Sequence, residues 1–220
     1  MTHLPYRLLL ALCFCSSLVT AQKGLYDETI LRTLELTFKQ SNWQTQLTNN
    51  YVSKTYIKAD LKVGGMVFKD IGVRYRGNSS YKAVRSIKKP FKIKLDAFGG
   101  TEELYGYRTL NLNNGYRDPA FVREVLAYKM FRRIEPASKA NWVKLIINGK
   151  SYGVYINVEQ INKDMLKAWF RDVDGFRYRG ERSGGGTADD PAFKWLGTIL
   201  TNYYRGYELK TANTTAPGRT

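Results

Sequence analysis

The stretch Gly72–Phe98, GVRYRGNSSYKAVRSIKKPFKIKLDAF, decides how we interpret the rest of the chain. Apolar and polar residues alternate around Val73 and Tyr75, which predicts a strand that runs into the polar turn Arg76–Ser80. After a short basic loop, alternation resumes within Lys88–Phe98 and predicts a second strand with lysines on one face. Backbone N–H groups and hydroxyls at the turn, together with the lysine charges, are suited to hold an anionic group.

An ordinary hairpin with a solvated lysine face is the alternative interpretation of the same stretch, because a fold element does not by itself imply a function. The turn residues are equally typical of a polar turn without a ligand. Under the anion-binding interpretation, the side chains that take part are those of Arg76, Asn78, Ser79, Ser80, Lys92 and Lys94.

Length and composition predict a secreted globular protein. The 220 residues are 43% hydrophobic and 25% charged, which is enough for one domain with a proper core and argues against long disorder. Residues 1–21 have a basic start at Arg7, an apolar run and small residues before Gln22, and so predict a secretory signal peptide. We assign residues 22–180 to the main domain and 181–220 to an incomplete second lobe or tail. We expect no transmembrane segment in the mature chain.

Removal of that signal peptide would restrict the available chemistry. Cys13, Cys15 and His3 are the two cysteines and the one histidine of the sequence, and all three lie in it. The mature chain would then lack disulfides, thiol nucleophiles, serine–histidine catalysis and the usual zinc sites. Any chemistry must use carboxylates, lysine, arginine, hydroxyls or a cation held by oxygen atoms.

The formal net charge of +16 predicts partners that carry negative charge. Nucleotides, acidic proteins, wall polymers and a membrane surface all fit. DNA does not fit well, because the sequence has no helix-turn-helix, zinc-finger or RNA-binding aromatic signature and the protein is predicted to be exported.

Two β-hairpins are predicted from the turn signals Gly64-Gly65 and Asn148-Gly149-Lys150. A short strand is predicted over Arg108–Asn113, and its asparagines are interpreted as turn formers. Near the end of the chain, Asp190-Pro191 is interpreted as the start of a further helix.

The clearest predicted helix begins at Asp118-Pro119, a favourable cap and first-turn pair, and continues through an apolar run. Glu124 is the exception in that run. At about 100° per residue it lies between Tyr128 and Phe131, within an aromatic face. A carboxylate at this place must either reach the solvent or find a cation.

The order of these parts matches the nucleotide-binding lobe of protein kinases. By this analogy Lys92 or Lys94 is the catalytic lysine that contacts phosphates, Glu124 is its partner, and Glu159-Gln160 is the hinge beside the adenine. We therefore predict an α+β fold: a kinase-like amino-terminal lobe, made of an antiparallel sheet with one major packed helix, plus the start of a second, incomplete lobe. If Glu124 instead reaches solvent, the lysines are only surface charge.

Several separated motifs resemble the CotH family, whose members are spore-coat and secreted proteins regarded as atypical protein kinases. The motifs are RYRGNSS, KKPFKIKLD, LNLNN, DPAFVREVLAYKMF and WVKLIINGKSYGVYINVEQINKDML, in that order, over residues 25–180. The resemblance implies a kinase that uses ATP and Mg²⁺ or Mn²⁺ to phosphorylate serine on exported proteins. Some relatives act instead as surface proteins that bind host or coat partners.

The sequence departs from the family in its last part. Members of the family continue into a second lobe with a Trp-Asp-x-Asp-like stretch that is expected to bind metal, and this sequence has no such stretch. We therefore expect a truncated member, without metal ligands, that is inactive alone. The alternative function is a non-catalytic spore-coat or surface adhesion protein that binds acidic partners.

Overall fold

A computed structural model of the chain describes residues 24–180, 195–203 and 206–211. The predicted signal peptide and the predicted helix start at Asp190-Pro191 lie outside these ranges. The chain divides into two compact units, Met1–Met165 and Leu166–Thr220. Within the described ranges, no helix combines the length and the apolar character that a membrane crossing requires.

The first unit is built mainly from seven strands with short connections. In chain order the strands are β1 Arg32–Thr37, β2 Ile57–Val63, β3 Met66–Tyr75, β4 Phe91–Lys94, β5 Thr109–Asn113, β6 Ala140–Ile147 and β7 Lys150–Val158. The helices are α1 Trp43–Asn49, α2 Ser79–Ala83, α3 Arg123–Phe131 and α4 Lys163–Lys167, the last of which crosses the boundary between the units.

The seven strands close into a barrel in the order β1-β2-β3-β4-β5-β7-β6. Six of the seven neighbouring pairs are antiparallel, and the parallel pair β1–β6 closes the ring, with Leu34 opposite Leu145. Alternate side chains of every strand point inward and form one apolar core, which includes the fully buried Leu61, Phe91 and Tyr155.

The predicted fold class, an α+β kinase-like lobe with one major packed helix, is therefore wrong. The sheet buries its apolar face by closing on itself, so it needs no large helix to cover it. The helix that we expected to fill this role buries only Val125, whereas Leu126 and Met130 are 50% and 68% exposed. The second unit contains a two-stranded antiparallel sheet, Tyr178–Gly180 paired with Tyr207–Leu209, and a 3₁₀ turn at Leu200–Tyr203.

Both predicted hairpins are present. The β2–β3 hairpin turns at Gly64-Gly65, and Gly64 has a φ of 57°. The β6–β7 hairpin turns at Asn148 and Gly149, whose φ values of 47° and 79° give the left-handed pair that favours a tight turn with the twist of the strands. Asn148 also reaches β1, because its side-chain oxygen accepts the Phe38 N–H at 2.8 Å.

The helix α3 begins at Arg123, five residues later than the predicted cap. Asp118 still caps it in part, since its Oδ2 accepts the Arg123 N–H at 2.8 Å. Phe121, with a φ of 56°, interrupts the segment between them. On its inner side Val125 packs against Ala140, Ile156 and Val158, so the helix lies on the outside of the barrel over β6 and β7.

Candidate functional site

The outer face of β3, β4 and β5 carries the polar residues of the candidate site. Phe91, Ile93, Leu110 and Leu112 are buried in the barrel core, so the residues that alternate with them point outward. The strand register then places outward side chains side by side across the face, in a row that consists of Arg74, Lys92, Asn111 and Val158.

Lys92 and Gln160 meet in this row. The Lys92 ammonium donates to Gln160 Oε1 at 2.8 Å. Asn111, which is buried, donates to the Val158 carbonyl at 3.1 Å and to the same Gln160 oxygen at 3.4 Å. Two of the residues predicted from sequence to bind a nucleotide are therefore brought together, and an asparagine that was interpreted as a turn former fixes their position.

Lys94 and Glu159 lie apart from that contact. Lys94 is opposite Thr109, one step further along β4, and its ammonium lies 3.7 Å from Asp96 Oδ1. Glu159 is buried, and its Oε2 accepts the Lys139 N–H at 2.9 Å. Of the predicted hinge pair, Gln160 is on the polar face and Glu159 supports the start of β6.

Glu124 has a different partner from the lysine that we predicted for it. Its Oε1 accepts the Asn113 side-chain N–H at 2.6 Å. The other end of that amide, Asn113 Oδ1, accepts a hydrogen bond from the Arg76 guanidinium. Within the described residues neither β4 lysine lies within ion-pair distance of Glu124. The structure thus brings together Arg76 and Glu124, both predicted site residues, through Asn113.

The environment changes the acid–base properties of this pair. Burial raises the pKa of the Glu124 carboxyl, and the Asp118 charge acts in the same direction, whereas the Asn113 hydrogen bond and the Arg76 charge oppose both. Burial also lowers the pKa of the Arg76 guanidinium, against the favourable charge of Glu124. An arginine remains protonated at any ordinary pH, so Arg76 is a fixed half-buried cation behind Glu124.

A cleft of about 720 Å³ opens beside Glu124. The predicted turn residues Asn78, Ser79 and Ser80 form one side, where α2 begins. Asn114 joins this side to β5, since its side chain donates to the Ser80 carbonyl at 3.3 Å and to the Lys88 carbonyl at 2.9 Å. Four of the residues predicted from sequence therefore line one cleft.

The opposite side of the cleft is the loop between β5 and α3, and it carries two arginines. Gly115 and Arg117 have φ values of 66° and 61°, and a Cβ on Gly115 would lie 2.4 Å from the Phe121 ring. This tight course brings Arg117 and Arg123 to the cleft, where Arg123 donates to the Arg117 carbonyl at 3.0 Å. Arg117 and Arg123 are exposed, whereas Asp118 beside them is buried.

Sequence reasoning missed Asn113, Arg117 and Arg123. The alternation of asparagine with leucine in LNLNN was a usable signal, because Leu110 and Leu112 must face the core and Asn113 then faces outward. No comparable signal marks the two arginines, because the turn that aims them depends on the left-handed backbone at Arg117. The catalytic and nucleotide-binding roles of the site residues stay predictions.

Comparisons with known proteins agree on one family. The family model described as "CotH kinase protein" matches residues 73–215. "Inner spore coat protein H" of Bacillus subtilis (strain 168) is 32% identical over 147 residues, which cover 64% of this chain and 37% of that protein. "Inner spore coat protein H-like protein" of the same organism is 42% identical over 59 residues, which cover 26% of this chain and 19% of that protein.

The match to the first of these relatives spans little more than a third of its length. The match to the family model covers well over half of the present chain. It includes the whole polar face, the cleft and both arginines described above. On this evidence the chain belongs to the CotH family.

Proposed function

We propose that this chain binds ATP, together with Mg²⁺ or Mn²⁺, as part of an exported protein kinase that phosphorylates serine on other exported proteins. The observation that carries the proposal is the match of residues 73–215 to a family described as kinases, over the residues that build the cleft. Transfer of a phosphoryl group depends mainly on positioning the reactants and on neutralising their charge. Polar side chains fixed on one face of a protein can do both.

The phosphate end of the nucleotide would lie in the cleft. Its volume is in the range of small-molecule sites, and its accessible surface combines Arg117 and Arg123 with the hydroxyls of Ser79 and Ser80. Guanidinium groups match the geometry of phosphate oxygens and hold them by paired hydrogen bonds. These contacts replace the lysine contacts that the sequence suggested for the phosphates.

The other end of the nucleotide would lie along the barrel face toward Gln160. Asn113 at the cleft and Asn111 beside Gln160 are two residues apart on β5, a separation of about 7 Å along a strand. Lys92 lies beside Gln160, so its charge would act near that end of the nucleotide rather than on the terminal phosphate.

The cleft also has oxygen atoms that fit a divalent cation. Mg²⁺ is usually held by one or two carboxylates and by the phosphates of its substrate. Asp118 and Glu124 are the two carboxylate residues of this cleft. In the described part of the chain, the buried Asp118 Oδ1 and Asn114 Oδ1 have no hydrogen-bond partner, and Asp118 Oδ1 lies 4.0 Å from Arg123 Nε. Asp118 and Glu124 would hold the ion, which would supply positive charge at the phosphates.

Isothermal titration calorimetry of the chain with Mg²⁺–ATP tests the proposal. We expect saturable binding, and at least a tenfold loss of affinity for Arg123→Ala, because a hydrogen bond between charged groups contributes about 1.5–3 kcal/mol. Arg133→Ala is the matched control, since Arg133 is exposed beyond the end of α3 and does not line the cleft. Absence of binding by the wild-type chain, or equal losses in both variants, would refute the proposal.

A second candidate function is a non-catalytic coat or surface protein that binds acidic partners. The net charge of +16 and the coat-protein names of both relatives favour it. Binding to an acidic peptide such as polyaspartate, measured at increasing salt, would test this role. Affinity that falls steeply with salt and is the same in the Arg123→Ala variant would support the second function over the first.

A further inference from the structure

We propose that Asn113 is a positioning residue, which holds the Glu124 carboxylate at the wall of the cleft and connects it to the half-buried Arg76 cation. The inference rests on the proposed function, because it assigns Asn113 a role in nucleotide binding that acts through Glu124. Its basis is the pair of hydrogen bonds on opposite ends of one amide.

The chemistry of the two neighbours fixes the orientation of the Asn113 amide. A guanidinium has only donors, so it must face the amide oxygen, and a carboxylate has only acceptors, so it must face the amide N–H₂. Within the described residues, Arg76 and Glu124 form no direct ion pair at 4.0 Å or less. The amide is therefore the physical link between the two charges.

The position of these three residues explains why the link matters to the cleft. Asn113 and Glu124 line it, whereas Arg76 is half-buried and does not. Asn113 fixes one oxygen of Glu124, which restricts how the second oxygen can be presented to the cleft. Without this restraint the carboxylate would be free to rotate toward Arg123 or toward solvent, and a pre-organised site would become a mobile one.

Neither leucine nor aspartate at position 113 would make both hydrogen bonds. Leucine fills a similar volume and makes neither hydrogen bond. Aspartate keeps an acceptor for Arg76 but places a second negative charge against Glu124, which raises the pKa of the Glu124 carboxyl further. The titratable and charged groups that face Glu124 are Arg76, Asp118 and Tyr128. A substitution at residue 113 leaves all three in place.

Two measurements on the full chain test the inference. The first is Mg²⁺–ATP affinity, for which we expect Asn113→Asp and Asn113→Leu to lose about tenfold or more. The second is the mobility of the Glu124 side chain by ¹³C NMR relaxation, for which we expect an increase in both variants. A purely structural role would lower stability without changing that mobility. Asn148→Asp, at the exposed β6–β7 turn, is the matched control and should change neither quantity.

The outcomes separate this inference from the proposed function. Wild-type affinity for Mg²⁺–ATP with no loss in the two variants at residue 113 would overturn the role of Asn113 and leave ATP binding intact. Unchanged mobility of the Glu124 side chain would overturn it as well. Failure of the wild-type chain to bind Mg²⁺–ATP would instead remove the proposed function itself, even if the Glu124 side chain becomes more mobile as expected.

Discussion

The ammonium of Lys92 donates a hydrogen bond to Gln160 Oε1 at 2.8 Å, although the two residues are 68 positions apart in the chain. The contact exists because β4 and β7 both flank β5, so outward residues of the two strands stand on either side of Asn111. Lys94, two residues further along, is placed instead beside Asp96 at 3.7 Å. The two lysines that the sequence treats as equivalent are therefore distinct in the structure.

This difference predicts unequal effects on nucleotide binding. Lys92→Met should lower Mg²⁺–ATP affinity by about tenfold, because it removes a charge next to Gln160 on the proposed binding face. Lys94→Met should change it by less than about twofold, because a partly exposed ion pair contributes at most about 1 kcal/mol and Lys94 lies outside the row that contains Lys92. Calorimetric titration of the two variants in parallel decides the matter. A larger loss for Lys94→Met would point to the other end of β4 as the site.

Local sequence patterns predicted the parts of the barrel well but not its closure. The turns at Gly64-Gly65 and Asn148-Gly149 are short-range signals, and alternation identified both faces of β4. The parallel pairing of β1 with β6 joins segments more than 100 residues apart, such as Leu34 and Leu145. Alternation tells which side of a strand is apolar, but not which strand lies beside it, so an open sheet covered by a helix was an equally consistent expectation.

For the candidate site, too, the sequence predicted several of the residues but not the contacts between them. The residue types around Glu124 predicted a carboxylate that either reaches the solvent or finds a cation. In the structure Glu124 bonds to Asn113, and Asn113 bonds to the cation Arg76, which follows β3. Arg76 and Asn113 come together because β3 and β5 both pair with β4. Glu124 reaches them because β5 also pairs with β7, against which α3 packs. Such pairing between strands that are not consecutive is a tertiary property, which the period of a single strand does not contain.

Gly72 on β3 offers a direct test of packing in the barrel wall. A Cβ at this position would lie 2.3 Å from the Ala97 Cβ and 3.0 Å from the Tyr56 ring. Gly72→Ala should therefore lower the free energy of unfolding by about 1–3 kcal/mol through overpacking. Gly65→Ala is the matched control, because a Cβ there meets nothing within 4 Å. Urea denaturation measures both, and equal stabilities of the two variants would contradict the close approach.

Substitutions of Asn148 test how much its side chain contributes to closing the barrel at the β6–β7 turn. Its side chain accepts the Phe38 N–H at 2.8 Å, and its φ of 47° is a conformation that alanine resists. Asn148→Ala should cost about 1–2 kcal/mol, from the lost hydrogen bond and from the backbone. Asn148→Gly removes the side chain but tolerates the backbone, so it should cost less in the same urea denaturation experiment. If Asn148→Gly is as stable as the wild type, the bond to Phe38 contributes nothing to closure.

Glu124 makes stability depend on pH in a defined direction. Because burial raises its pKa in the folded state above the ordinary value of a glutamate, the folded protein holds the proton more tightly than the unfolded chain does. Stability contributed by the protonated form is fully present below the unfolded pKa, and it is lost as the pH rises through the folded pKa. Glutamine approximates the protonated form at every pH. The stability of Glu124→Gln relative to the wild type should therefore increase as the pH is raised from 4 to 8.

Urea denaturation at pH 4, 5.5, 7 and 8 measures that difference directly. Glu135→Gln serves as the control, because Glu135 is an exposed residue after α3 and lies outside the cleft, so its difference from the wild type should stay flat. The opposite slope for Glu124→Gln, with the wild type gaining relative stability as the pH rises, would mean that the Arg76 charge and the Asn113 hydrogen bond outweigh burial. Glu124 would then be an ion-paired structural carboxylate, and the raised pKa on which this prediction rests would be wrong.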